Sequence, residues 1–144
     1  MTPTLRGRVE TRLFLLTFLG LPITAIFAWL YQDRQTPFVL LGYVLLFGLA
    51  WDGVYYGLQT LRWNRDWPPL FMVVAGVWEA MFLWGLISLS REAGLTLPGV
   101  APGLTFFQFA AHYTVVFWST FAAAFSLLPI LFPRWRYRGG EWSD

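Results

Sequence analysis

The stretch "AGVWEAMFLW", residues 75–84, has the apolar character of a membrane span and yet contains an acidic residue, Glu79. The stretch belongs to a longer apolar segment, 70–89, which has the roughly 20 residues that a membrane-spanning helix needs. Glu79 lies near the middle of this segment, where an acidic residue costs about 3 kcal/mol. We therefore predict that Glu79 faces the protein interior and not lipid.

The composition of the whole chain also indicates a membrane protein. Of its 144 residues, 57% are hydrophobic and 12% are charged, whereas soluble domains carry about 25% charged residues. Three further apolar segments, 13–31, 38–61 and 105–132, are near or above the length of a span. We predict an all-α fold, an integral membrane four-helix bundle with short loops, as a single transmembrane domain over 1–144.

The positions of the basic residues predict the orientation. All ten are arginines, and with four spans only Arg34 and Arg91 lie on one side; the other eight are Arg6, Arg8, Arg12, Arg62, Arg65, Arg134, Arg136 and Arg138. Arginine in short loops resists translocation. We therefore predict a multi-pass protein of the cytoplasmic (inner) membrane with both termini in the cytoplasm. Residues 133–144 are predicted to form a cytoplasmic arginine-aromatic tail, with Trp135 and Tyr137 at the membrane interface.

Polar residues recur on one face of two further segments. Helical spacing puts Asp52 on a stripe of the second segment and His112 on a stripe of the fourth. The stripes are Gly48, Asp52, Tyr55, Tyr56, Gln59, and Thr105, Gln108, His112, Ser119, Ser126. If they converge, Asp52, Glu79 and His112 form a polar centre. The predicted ligand-binding residues are Asp52, Tyr55, Tyr56, Gln59, Glu79, Gln108, His112 and Ser119, and the first helix is expected to be mainly a wall.

The polar residues also have a structural interpretation. Asp52 and Glu79 could be hydrogen-bonded to neighbouring tyrosine, tryptophan or histidine side chains and thereby fix the helix register. Intramembrane ionisable residues are nevertheless functional by default.

Proline and glycine predict local features of the helices. Pro37 and Pro68-Pro69 are expected to start the second and third helices, while Pro22 and Pro129 should kink the first and fourth. A GxxxG pair, Gly53 and Gly57, and a small-xxx-small pair, Gly76 and Ala80, allow close helix packing, within the chain or in a homodimer.

Several classes of site are disfavoured by residue counts. With no cysteine, the chain has no disulfide, thiol nucleophile or thiolate metal site, and one histidine cannot supply bis-histidine haem ligation within one chain. Two carboxylates and a histidine could hold a metal, but no helical ligand pair such as E-x-x-H supports one. We predict no metal, no cofactor and no nucleic-acid partner, since no phosphate loop or basic face outside the lipid boundary is present.

Two segments show a family resemblance. The stretches "DGVYYG" at 52–57 and "PPLFMVVAGVWEAMFLWG" at 68–85 look similar to the acid-bearing helices of the sterol-isomerase and sigma-2-receptor families. The resemblance implies Asp52 and Glu79 around a flat, apolar or cationic ligand. Gly48 stands where the isomerases have a histidine one turn before the first acid, and the number and connection of helices differ.

Three functional hypotheses remain. The first, which we favour, is a subunit, assembly factor or binding partner within a membrane complex. The second is a transporter or binding protein for a proton, a cation or an apolar solute. The third is an intramembrane enzyme that acts on an isoprenoid or sterol-like lipid by carboxylate acid-base chemistry. The expected partners are membrane lipids, another membrane protein or a second copy of the chain, and an apolar small molecule.

Overall fold

Four long helices make up the computed structural model, which describes residues 3–63, 66–134 and 138–141. We name them α1 (Leu5–Leu30), α2 (Thr36–Thr60), α3 (Pro69–Glu92) and α4 (Phe106–Leu131). All four are long and apolar enough to cross a membrane. The all-helical fold and the four candidate spans predicted from the sequence are therefore confirmed.

The helix starts follow the sequence signals. Pro37 is the second residue of α2 and Pro69 the first of α3, positions where a missing N–H leaves no acceptor unpaired. At the start of α4 the Thr105 side chain accepts from the Gln108 backbone N–H, and the Gln108 side chain accepts from the Thr105 N–H. This reciprocal cap satisfies donors that the helix itself leaves unpaired.

Both predicted irregularities occur next to their prolines. A π-helical turn, Leu16–Gly20, divides α1 into Leu5–Leu15 and Leu21–Leu30, directly before Pro22. The Leu21 N–H accordingly bonds to the Leu16 carbonyl, five residues back. In α4 the regular helix ends at Phe125 and resumes as Leu127–Leu131 around Pro129.

The helices pack in chain order around a ring. Each contacts the next, and α4 contacts α1, so that α1 lies across the ring from α3. The start of α1, residues 138–141 and the described parts of the connection between α2 and α3 lie at one end, which we call the termini end. The Thr4 N–H donates to the Gly139 carbonyl there over 2.9 Å. Toward the opposite end the interior is apolar and includes Leu40, Leu83, Ile87 and Phe109.

The long connection at the opposite end is ordered by polar contacts. Arg91 donates to the carbonyls of Leu104 and Ala101, and the Ala101 N–H donates to the Thr36 hydroxyl. Residues 95–105 form no helix, as the prolines and glycines of this segment predict.

The arrangement of the four helices in a membrane, the N-in/C-in topology and the single-domain division remain predictions. The interfacial positions predicted for Trp135 and Tyr137, and the cytoplasmic positions predicted for Arg65 and Arg136, fall outside the described residues.

Candidate functional site

An arginine from α1 holds the two carboxylates together. Arg12 Nε donates to Asp52 Oδ2 over 2.8 Å, and Nη1 donates to Glu79 Oε2 over 3.1 Å. Nη2 donates to the remaining oxygen of each acid, at 3.1 Å to Asp52 Oδ1 and 3.2 Å to Glu79 Oε1. All four carboxylate oxygens are therefore hydrogen-bonded to one guanidinium. We call these three residues the Arg12 network.

The position of Arg12 corrects the sequence prediction for α1. We placed Arg12 on the cytoplasmic surface and began the span at Leu13, but the helix begins at Leu5 and carries Arg12 inside. The Arg12 side chain crosses the ring to reach Glu79 on α3, the opposite helix. An arginine tolerates this burial because both acids compensate its charge. The expectation that α1 is mainly a wall is wrong.

Gly48 provides the space that Arg12 needs. A Cβ atom at position 48 would collide with Arg12 Nη1 and lie 2.6 Å from Cζ. Gly48 is one turn before Asp52 on α2, so the glycine lets the guanidinium lie against the helix beside its acceptor. The residue that departs from the isomerase pattern thus has a steric role in this chain.

A second arginine lies one turn closer to the termini end. Arg8 Nη2 donates to Gln59 Oε1 over 2.8 Å, and the Arg8 guanidinium lies 4.7 Å from the centroid of the Trp67 ring. Arg8 Nε is buried, and no described residue accepts a hydrogen bond from it. A buried donor without an acceptor is costly, so Arg8 would be stabilised by a further acceptor.

A cavity of about 190 Å³ adjoins both arginines. One wall is polar and includes Arg8, Thr120 and the Arg12 network. The remaining walls come from all four helices and are largely apolar: Leu15, Leu16, Val44, Met72, Val116, Phe117, Phe121 and Ala124.

The end of the chain contacts the cavity at the termini end. We call residues 138–141 the C-terminal strap. The Thr4 hydroxyl donates to Glu141 Oε1 over 2.6 Å, and Gly140, with φ of +93°, lies against Gly7. Gly7 and Gly140 both line the cavity. The strap therefore forms part of the cavity wall where it faces the termini end.

His112 does not join the two acids. A hydrogen bond of 2.9 Å joins its Nε2 to the Thr24 hydroxyl, and the ring packs edge-on against Phe27 at 5.3 Å. Both contacts come from the second half of α1, beyond the π turn. The predicted polar centre of Asp52, Glu79 and His112 is therefore two separate sites, divided by an apolar cluster of Leu16, Leu41 and Val116.

Of the other predicted ligand-binding residues, some are buried near the cavity and others lie away from it. Tyr55 and Gln59 are buried at the termini half; the Tyr55 hydroxyl donates to the Ala75 carbonyl over 3.4 Å, and Gln59 accepts from Arg8. Tyr56 is exposed on the outside of α2. Gln108 caps its own helix, and Ser119 is half-buried and does not line the cavity.

Three residues beside the cavity were not predicted from the sequence as site residues: Arg8, Arg12 and Tyr113. The Tyr113 hydroxyl donates to the Gly76 carbonyl over 2.8 Å and joins α4 to α3 beside the cavity. A signal for the arginines was available, because Arg8 and Arg12 are four residues apart and share one helix face. Extending the first helix to its N-cap at Thr4 would have placed that face inside.

Comparison with known proteins identifies no relative. No family model matches the chain, and neither does a curated protein or a solved structure. The resemblance to the sterol-isomerase group is limited to two segments. The function is therefore inferred from the geometry of this chain.

Proposed function

We propose that this chain is a membrane binding protein for a small apolar solute that carries one hydrogen-bond acceptor, held in the cavity beside the Arg12 network. In this proposal the four helices form a bundle across the cytoplasmic membrane, with both termini in the cytoplasm. The observation that carries the proposal is the cavity of about 190 Å³, which is lined by all four helices and by two half-buried arginines, Arg8 and Arg12.

The polar wall favours an acceptor over a cation. Arg12 already donates four hydrogen bonds to Asp52 and Glu79, so a cationic ligand would meet carboxylate oxygens that all accept from Arg12 already. Arg8 Nε, in contrast, is a buried donor with no acceptor among the described residues. A carbonyl, ether or hydroxyl oxygen of a bound solute would satisfy it.

The volume favours a small solute over a sterol. A dry cavity of about 150 Å³ is large enough to bind benzene, whereas pockets for drug-sized ligands measure about 300–1,000 Å³. A single substituted ring suits the 190 Å³ available. Chemistry on a sterol-like lipid is less well supported, because the acids that would move protons are paired with Arg12.

The test uses ¹⁹F NMR of the protein in lipid nanodiscs, with 4-fluoroacetophenone as probe and 4-fluorotoluene as the probe without an acceptor. Ala124→Leu adds bulk inside the cavity, and Ala122→Leu adds the same bulk on the exposed side of the same helix. We expect a saturable bound signal for 4-fluoroacetophenone in wild type and Ala122→Leu that is lost in Ala124→Leu. Each probe partitions into the nanodisc lipid to the same extent in all samples, so this contribution cancels when the variants are compared with wild type.

Arg8→Gln separates the acceptor contact from the cavity itself. This variant should weaken 4-fluoroacetophenone binding and leave 4-fluorotoluene unchanged. A bound signal of equal size in wild type and Ala124→Leu, with helix content unchanged by circular dichroism, would overturn the proposal.

The second candidate function is that of a subunit or assembly partner in a membrane complex. It is favoured by Gly53 and Gly57, because a Cβ added at either would meet no atom within 4 Å. This GxxxG pair is therefore not used in packing within the described chain, unlike Gly76, where a Cβ would collide with the Phe117 ring. Co-purification of another membrane protein that Gly57→Leu abolishes and Gly42→Leu retains would support this function over solute binding.

A further inference from the structure

A lateral groove lies between α2 and α3, and Tyr55, Trp67 and Ala75 line both this groove and the cavity. The volume of the groove is about 650 Å³, and its walls include Val54 and Leu58 from α2 and Phe71 and Val74 from α3. Val54, Leu58 and Val74 are 47%, 50% and 60% exposed, so the groove opens toward the surroundings of the helices. In a membrane this opening faces lipid.

The groove extends over most of the depth of one lipid leaflet. Along α2 its lining runs from Trp51 to Leu58, and along α3 from Phe71 to Trp78. Seven residues at a rise of about 1.5 Å correspond to ~10 Å, about two thirds of the ~15 Å that one leaflet contributes to the ~30 Å hydrocarbon core.

Aromatic rings close the groove at mid-depth. The Trp51 and Trp78 rings pack edge to face with centroids 5.8 Å apart, and Phe82 packs against Trp51 at 5.5 Å. A chain that enters from the termini end therefore ends against this aromatic cluster and does not continue into the other leaflet.

Arg62 is the cation that lines the groove among the residues that the structure describes. It belongs to the connection after α2, and its guanidinium lies 4.6 Å from the centroid of the Phe71 ring. This cation–π contact positions the charge next to the apolar channel. Because Arg62 follows directly on the end of a spanning helix, it lies at the depth of lipid phosphates.

We propose that this groove binds an anionic phospholipid, with one acyl chain between α2 and α3 and the phosphate paired with Arg62. A second groove, between α3 and α4, serves as an internal comparison. It measures about 410 Å³ and has aromatic walls, including Trp84 and Trp118. None of the arginines that the structure describes lines it, and Arg91 lies outside it, 5.9 Å from the centroid of the Trp84 ring. Lipid in the second groove should show a weaker preference for negative charge.

The experiment is native mass spectrometry of the full chain titrated with dioleoyl phosphatidylglycerol or dioleoyl phosphatidylcholine. Arg62→Gln removes the charge in the groove, Arg62→Lys keeps it, and Arg134→Gln removes an exposed charge from the same end of the molecule. We expect the first phosphatidylglycerol to bind wild type about fivefold more tightly than Arg62→Gln, the effect of one interfacial cation. Phosphatidylcholine binding should not change.

A groove-filling variant tests the acyl-chain site independently of the charge. Val54→Trp should abolish tight binding of the first lipid of either type, whereas Val115→Trp, at an exposed position on α4 outside all three cavities, should not. Equal phosphatidylglycerol affinity in Arg62→Gln and Arg134→Gln would overturn the proposal. Loss of a dimer, with lipid binding intact, in Val54→Trp would assign the groove to a second copy of the chain and also overturn it.

Discussion

At the scale of single residues, Glu79 is explained by Arg12. A lone acid in mid-membrane costs about 3 kcal/mol, and Glu79 avoids exposure to lipid because Arg12 donates to both of its oxygens. One arginine forms ion pairs with two acids, so the loss of the arginine and the loss of one acid have different effects. Removing the shared cation leaves two buried carboxylates without their donor, whereas removing one acid leaves the other pair intact.

Arg12→Gln should therefore destabilise the protein by about 3–5 kcal/mol, the cost of breaking a buried ion pair. The free energy of unfolding is measured by titrating sodium dodecyl sulfate into the protein in dodecyl maltoside micelles. Arg6→Gln is the control: Arg6 pairs with Glu10 over 2.8 Å at an exposed position, and such pairs contribute about 0.3–0.5 kcal/mol. Similar losses in the two variants would contradict the role assigned to Arg12.

Gly48 and Gly53 form a matched pair for the same network. Gly48→Ala should destabilise the protein, because the added Cβ would displace the Arg12 guanidinium. Gly53→Ala, on the same helix, meets open space and should be neutral or stabilising by up to about 1 kcal/mol, the difference in helix propensity. The same unfolding titration checks both, and a stable Gly48→Ala variant would show that Arg12 has another place to lie.

Among the helices, the existence of all four was predictable from the sequence, but the start of α1 and the presence of Arg12 inside it were not. Apolar length and proline punctuation locate all four helices and the irregularity near Pro22, whereas the break in α4 occurs at Ser126, three residues before the predicted Pro129. The start of α1 was misplaced because arginine in a short N-terminal segment is typical of a cytoplasmic flank. Only the long-range partners of Arg12, 40 and 67 residues away, show that the segment belongs inside.

The π turn explains why His112 and the two acids form separate sites. It inserts one extra residue into α1, so the faces before and after Leu16–Gly20 are not in helical register. Arg12 then faces Asp52, while Thr24 faces His112. The polar faces of α2 and α4 were predicted with a regular period of about 3.6 residues per turn. Such a period does not reveal an extra residue in α1.

The start of α2 has an ionisable cap outside the span. Asp33 Oδ1 accepts from the N–H groups of Gln35 and Thr36, and hydrogen bonding from the Thr36 side chain and these N–H groups lowers the pKa of Asp33. A lowered pKa in the folded state means that the stabilisation is present above the unfolded value of about 3.9 and is lost as the pH falls through the folded value.

Wild type should therefore melt at a higher temperature than Asp33→Asn at pH 6, and the difference should disappear as the pH falls below about 3.9. Melting is followed by circular dichroism in detergent across pH 2.5–7. Glu92→Gln, an exposed acid at the same end, is the control for general charge effects. A difference that persists unchanged at the lowest pH would exclude ionisation of Asp33 as its source.

At the scale of the whole molecule, the absence of cysteine makes the predicted topology directly measurable. Single cysteines can be introduced at Trp63, in the connection at the termini end, and at Thr96, in the connection at the opposite end; both positions are exposed. With both termini in the cytoplasm, a membrane-impermeant maleimide should label Thr96→Cys in intact cells and Trp63→Cys only after the membrane is opened. The reverse pattern would invert the topology.

The C-terminal strap packs against the start of α1, and a methyl group added at Gly7 should displace it. Gly7→Ala would place a Cβ against the Gly139 carbonyl and should release the strap from α1. Trypsin cleavage after Arg138, followed by intact-mass spectrometry, should then be faster than in wild type. Gly42→Ala, where the added Cβ meets no atom, should leave the cleavage rate unchanged; equal rates in both variants would show that the strap does not depend on this contact.

The reach of Arg12 across the ring also has a consequence for biosynthesis. The ribosome delivers the N-terminus first, so Arg12 enters the membrane region 40 residues before Asp52 and 67 residues before Glu79. Until then its charge opposes insertion by about 2.5–3.5 kcal/mol at the centre of a helix. The first helix should therefore remain shallow on nascent chains that end before residue 79, and its final depth should be reached only after the third helix has been synthesised.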